Sequence, residues 1–133
     1  MAELNDLIQV LNSPAYFFDL QSHRLLAVNR HFAELMEYDE SAMLEMTIDE
    51  LRSPEDAPML RKVFSKLPPE GFVEWRYKTH GGKIVPARIS YRSSIYIDRK
   101  TGRHHNVRMV VVSSESNPGV ESAQEVFESL LQT

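Results

Sequence analysis

The side chains that could do chemistry in this 133-residue chain are five histidines, five tyrosines and scattered serines and carboxylates, with no cysteine. The missing thiols exclude disulfides, thiolate nucleophiles, cysteine-ligated zinc and iron–sulfur clusters, and they fit a reducing cytoplasm. A histidine metal site needs its rings on one face. His104 and His105 are neighbours in an alternating segment, so they point to opposite faces, and His23, His31 and His80 fall in a turn, a short helix and a hairpin. No metal site is expected. Nucleophilic catalysis needs a serine beside a base and an orienting acid, yet no elbow-type or phosphate-cradling loop surrounds the serines. Gly81-Gly82-Lys83 is followed by a strand pattern, not a helix, so it reads as a hairpin turn. No catalytic residue is assigned.

The net charge of −4 conceals a segregation. Residues 1–70 hold 13 acids and 6 bases, residues 71–112 hold 2 acids and 9 bases, and residues 113–133 hold 4 acids and no base. Arg76, Lys78, Arg88, Arg92 and Arg108 share the outward phase of three alternating strands. Such a face could take nucleic acid or an acidic partner. Single-strand platforms also need interleaved aromatic rings, whereas Trp75, Tyr77 and Tyr91 have the opposite phase. The balance favours a solvated sheet face partly covered by the first helix or by another subunit.

The elements that position these residues follow from periodicity. Leu4, Leu7, Ile8 and Leu11 form the apolar stripe of an N-terminal helix over residues 1–13, the expected contact of a homodimer. Residues 15–18 and 24–28 read as a hairpin. Asn29, Asp39 and Thr47 are helix caps, the last with Glu50 in capping-box position, so residues 29–52 hold several short helices. Leu60, Val63, Phe64 and Leu67 mark a longer helix. Then the period falls to two. Val73, Trp75 and Tyr77, then Val85, Ala87, Ile89 and Tyr91, then Val107, Met109 and Val111 are the expected inward faces of a three-strand meander. Residues 114–133 read as a linker and a terminal helix through Val120, Ala123, Phe127 and Leu130. No apolar run approaches the roughly 18–20 residues that span a bilayer, and no signal-peptide core opens the chain. The class is α+β, with helices gathered on an antiparallel sheet.

Several strings along this order resemble a PAS domain, the sensory module of many signalling proteins. Pro14-Ala15-Tyr16-Phe17-Phe18-Asp19 is similar to the first strand of the family, and Leu25-Leu26-Ala27-Val28-Asn29 to its second strand and Val-Asn helix start. Leu35-Met36-Glu37-Tyr38-Asp39 resembles Leu-Leu-Gly-Tyr-Ser, with Glu37 in place of the usual glycine. Pro54-Glu55-Asp56 matches the string before the long helix, and Glu74-Trp75-Arg76-Tyr77-Lys78 with Gly81-Gly82-Lys83 resembles the family's hairpin. The resemblance spans residues 14–113. The Asp-Ile-Thr that often leads to an output helix is replaced by Val112-Ser113-Ser114.

The resemblance implies a five-stranded antiparallel sheet with short helices on one face and flanking terminal helices. It implies a regulatory domain, such as that of a histidine kinase or diguanylate cyclase, that couples a ligand or partner to a dimer or effector state. The implied pocket is lined by Phe18, Leu26, Phe32, Met36, Met43, Met46, Leu60, Phe64, Trp75, Tyr77, Ile89 and Tyr91, with the hydroxyls of Tyr77, Tyr91 and Ser90 as polar groups. A filled core explains the same residues. No cofactor is evident. A thiol-linked flavin or chromophore is excluded by the absence of cysteine, and the long-helix histidine of haem-binding members is missing from residues 57–67. An unidentified small molecule is the remaining ligand class. An isomerase-like pocket enzyme is the minor rival, and it would need an inward carboxylate on strands expected to be uncharged within.

Overall fold

A computed structural model describes residues 2–53, 58 and 66–113. Helix α1 (Ala2–Gln9) precedes strands β1 (Ala15–Asp19) and β2 (Leu25–Val28). Two short helices follow, α2 (Arg30–Met36) and α3 (Glu40–Met43), then a 3-10 turn (Ile48–Leu51). Strands β3 (Glu70–Lys78), β4 (Ile84–Ile97) and β5 (His104–Ser113) complete one five-stranded antiparallel sheet in the order β2-β1-β5-β4-β3. The expected long helix, the Pro54-Glu55-Asp56 string and the terminal helix lie outside the described residues.

The caps behave unequally. The Asn29 side chain accepts from the Phe32 backbone N–H as an N-cap should, whereas Asp39 and Thr47 begin their helices without a side-chain capping bond. Glu37 takes the left-handed conformation (φ 65°) that ends α2, doing with a carboxylate what glycine does at such a C-cap. Its side chain repays the strained backbone by accepting from the Gly81 N–H at 3.3 Å, while the Met36 carbonyl accepts from the His80 N–H at 2.9 Å. The end of α2 is thereby tied to the β3–β4 turn, where Gly82 supplies a positive φ.

The sheet is buried on both faces at its centre. Its inner face packs Tyr16, Phe18, Leu25, Val28, Trp75, Tyr77, Ala87, Ile89, Tyr91, Val110 and Val112 against Phe32, Met36, Met43, Ile48 and Leu51. On the outer face, α1 lays Leu4 and Ile8 on Ala15, Phe17, Ala27, Val107, Met109 and Val111. Three expectations change here. Val107, Met109 and Val111 face α1, and Val110 and Val112 face inward, because β5 is a central strand with apolar residues on both sides. Leu26 belongs to the outer cluster, because a bulge between Phe17 and Phe18 lets Leu25 oppose Phe18. Leu4 and Ile8 are buried within their own chain, so they are not open to a dimer mate. Leu11 packs partly beside them, and of that stripe only Leu7, 40% exposed, is open.

Candidate functional site

Tyr16, Phe32 and Tyr77 form the centre of the inner face. Alternation brings Tyr16 up from β1 and Tyr77 from β3, and the Asn29 cap aims the first turn of α2 between them. The Phe32 ring lies 4.4 Å from that of Tyr16 and 5.6 Å, edge-on, from that of Tyr77. The two phenol hydroxyls meet at 2.8 Å, buried, each the other's partner. Burial holds both phenols above their ordinary pKa, Tyr77 the more strongly because ionising beside Tyr16 is also penalised.

Two arginines share this face. The Arg52 guanidinium lies 3.2 Å from the Trp75 ring centroid and 5.2 Å from that of Tyr77, and its Nη1 donates to the Arg76 carbonyl at 2.8 Å. Arg108 lies 4.8 Å over the Tyr91 ring and donates from Nε to Ser93 Oγ at 3.1 Å. Both are nearly inaccessible, at 7% and 4% exposure. Burial lowers the Arg108 pKa. Facing aromatic rings lets a guanidinium enter an apolar face at reduced cost. The placement of Arg108 on the outward basic face is therefore corrected: β5 pairs it with Phe18 and Ser93, both inward.

Of the residues expected to line a pocket, Phe18, Phe32, Met36, Met43, Trp75, Tyr77, Ile89 and Tyr91 come together on the inner face, with Met46 packed at its margin. Leu26 does not. Leu60 and Phe64 lie outside the described residues. Ser90 is buried but opposes Val111 on the outer side, so its hydroxyl does not join those of Tyr16 and Tyr77. Sequence reasoning missed Tyr16, Arg52 and Arg108 as its polar members. The Tyr16–Tyr77 pair could have been sought by asking where a buried strand tyrosine finds a partner, but nothing local marks Arg52.

The basic outer face is less basic than its sequence. Register sets Glu70 opposite Arg92 and Glu74 opposite Arg88, and Arg88 lies 5.5 Å over the Phe72 ring. Cross-strand acid–base pairs satisfy charge locally. No cluster of three or more metal-ligating side chains occurs among the described residues, and none of the described helices is long and apolar enough to cross a membrane.

No protein-family model and no curated protein sequence matches the chain. Solved structures do. The PAS domain of an HTR-like protein from Haloarcula marismortui superposes with a TM-score of 0.65 at 18% identity, over 84% of this chain and 88% of that one. The PAS domain of Bordetella pertussis BvgS gives 0.62 at 16% identity, over 98% and 93%. The Rhodobacter sphaeroides LOV protein gives 0.67 at 13% identity, over 98% and 88%. Strand order, the helices on the inner face and these likenesses agree: the chain has the PAS-domain fold.

Proposed function

We propose that this chain is a sensory PAS module of signal transduction that holds a small molecule on its inner face and passes the change to a second copy or an attached effector. A similar fold serves a two-component sensor histidine kinase. The observation that carries the reading is the buried polar centre, with two phenol hydroxyls and two ring-stacked guanidiniums among apolar side chains. A site of this kind suits a compact, mostly apolar molecule with one or two oxygen acceptors, oriented by a few convergent polar groups. The absence of cysteine leaves no thiol to bind flavin or a chromophore covalently, and the ligand of this reading is a non-covalently held small molecule. No residue is assigned a catalytic role, and the module acts by shifting a conformational equilibrium through differential affinity. Its setting is the cytoplasm.

A thermal-shift screen of small metabolites tests the reading. A true ligand at about 100 times its Kd adds about 2.7 kcal/mol, a shift of several degrees or more in a domain of this size. The Tyr77→Phe variant should bind it more weakly. A panel in which no compound raises the midpoint, or in which every hit binds Tyr77→Phe and wild type equally, would count against the inner face as the site.

A further inference from the structure

The β4–β5 hairpin outruns the sheet. β3 accompanies β4 only as far as Arg92, and β1 accompanies β5 only from Val107 to Val111. Beyond them a two-stranded ribbon continues, with Ile95 opposite Asn106 and Ile97 opposite His104. Ile95 and Ile97 lie two residues apart on the same face, 63% and 51% exposed. The turn beyond carries Arg99, Lys100 and Arg103, all exposed, and residues 99–105 contain no acid. Asp98 accepts from the Lys100 N–H within the turn. The projecting ribbon thus carries two exposed isoleucines and three exposed cations.

The matching surface is on the same chain. Leu44–Leu51 holds three carboxylates, Glu45, Asp49 and Glu50, and no lysine, arginine or histidine; Asp49 lies 3.3 Å from His23 Nδ1, and Leu44 is an exposed apolar residue beside Glu45. Exposed Leu44 beside Glu45 and Glu50 is complementary to Ile95 and Ile97 beside Lys100 and Arg103, with Arg24 bordering the acidic side through its bridge to Thr47. Both surfaces stand toward the end of the sheet where β1 turns into β2. There the Leu20 N–H donates to the Asn106 carbonyl, His105 Nδ1 lies 3.5 Å from Asp19, and the Ile48 N–H donates to the His23 carbonyl. With both surfaces near one end, a two-fold axis lets each of two copies offer its ribbon to the other's Leu44–Glu50 segment.

We propose that two copies of this chain associate reciprocally, the β4–β5 ribbon of each docking through Ile95, Ile97, Lys100 and Arg103 on the Leu44–Glu45 surface of the other. This deepens the partner half of the functional reading and rests on it. Ligand occupancy does not enter, so its failure would leave the ligand half standing.

Charge exchange tests it by sedimentation velocity on the full chain. Wild type should form a salt-sensitive dimer that dissociates at roughly 1 M salt, where the screening length falls to about 3 Å. Lys100→Glu with Arg103→Glu should be monomeric, and so should Glu45→Lys with Glu50→Lys. Mixed, the two variants should regain a one-to-one dimer, because both contacts are again opposite in sign. All four positions are exposed, and circular dichroism checks folding. Should either variant misfold, Ile95→Ser with Ile97→Ser takes its place and should weaken the dimer at least tenfold. A wild type monomeric at low salt, a dimer surviving in the variants, or folded variants that do not recover on mixing would each overturn the proposal.

Discussion

Asn29→Ala should destabilise the fold by roughly 3–4 kcal/mol, read as a lowered urea midpoint with an unchanged slope. One buried side chain makes four bonds. Its Oδ1 accepts from the Phe32 N–H and the Ala15 N–H, both at 3.0 Å, and its Nδ2 donates to the Ser13 carbonyl at 2.7 Å and the Ile8 carbonyl at 3.3 Å. Asn29 thus caps α2, fixes the start of β1 and anchors the end of α1. An ordinary N-cap is worth about 1 kcal/mol. The larger figure follows because alanine leaves buried backbone groups unsatisfied on both sides of the sheet. Asn29→Asp makes the complementary case. It keeps the acceptor but loses both donors and turns a carboxylate oxygen toward two carbonyls, so it too should lower the urea midpoint. A loss below about 1 kcal/mol for Asn29→Ala would show that water replaces these bonds.

Alkali should unfold the protein steeply, at about 3 kcal/mol per pH unit once the pH exceeds the ordinary tyrosine value of 10.0. Tyr16 and Tyr77 are held neutral by burial in the folded state and titrate freely when unfolded. Their folded pKa values are raised, so the folded state binds the extra protons. Their contribution is fully present below pH 10 and is lost as pH climbs from there toward the folded values. Tyr16→Phe with Tyr77→Phe should remove most of that slope, leaving the smaller part due to Tyr91, whose phenol pKa burial also raises. The double replacement should also cost less at neutral pH than either single one, because a single replacement leaves one hydroxyl buried without its mate. Equal alkaline midpoints for wild type and the double variant would refute the assignment.

Much of this architecture is legible in the sequence wherever one face of an element is wet. β3 and β4 alternate aromatic or aliphatic residues with charges, and the structure keeps that phase through Trp75, Tyr77, Ile89 and Tyr91. The α1 stripe is equally readable, though a stripe does not say whether it meets its own sheet or a partner's, and here Leu4 and Ile8 meet their own. β5 is opaque. Met109-Val110-Val111-Val112 is apolar on both sides because the strand lies between α1 and the inner core, so alternation has no contrast to report. Arg108 is its only charged residue, and hydropathy sends a charge to solvent. Stacking on Tyr91 and the bond to Ser93 reverse that preference. In β2 a single bulge exchanges Leu25 and Leu26. Asn29 is the opposite case: the Val-Asn string resembles a family signature, and its four hydrogen bonds supply the physical reason for the asparagine.

Native mass spectrometry of the freshly purified 133-residue chain tests the central claim most directly. If the inner face holds a small molecule, the spectrum should contain a discrete species heavier than the 15.3 kDa chain. That species should vanish under denaturing conditions and diminish in Tyr16→Phe with Tyr77→Phe. Only the bare chain mass in every preparation, or a bound species unaffected by the double replacement, would contradict the account.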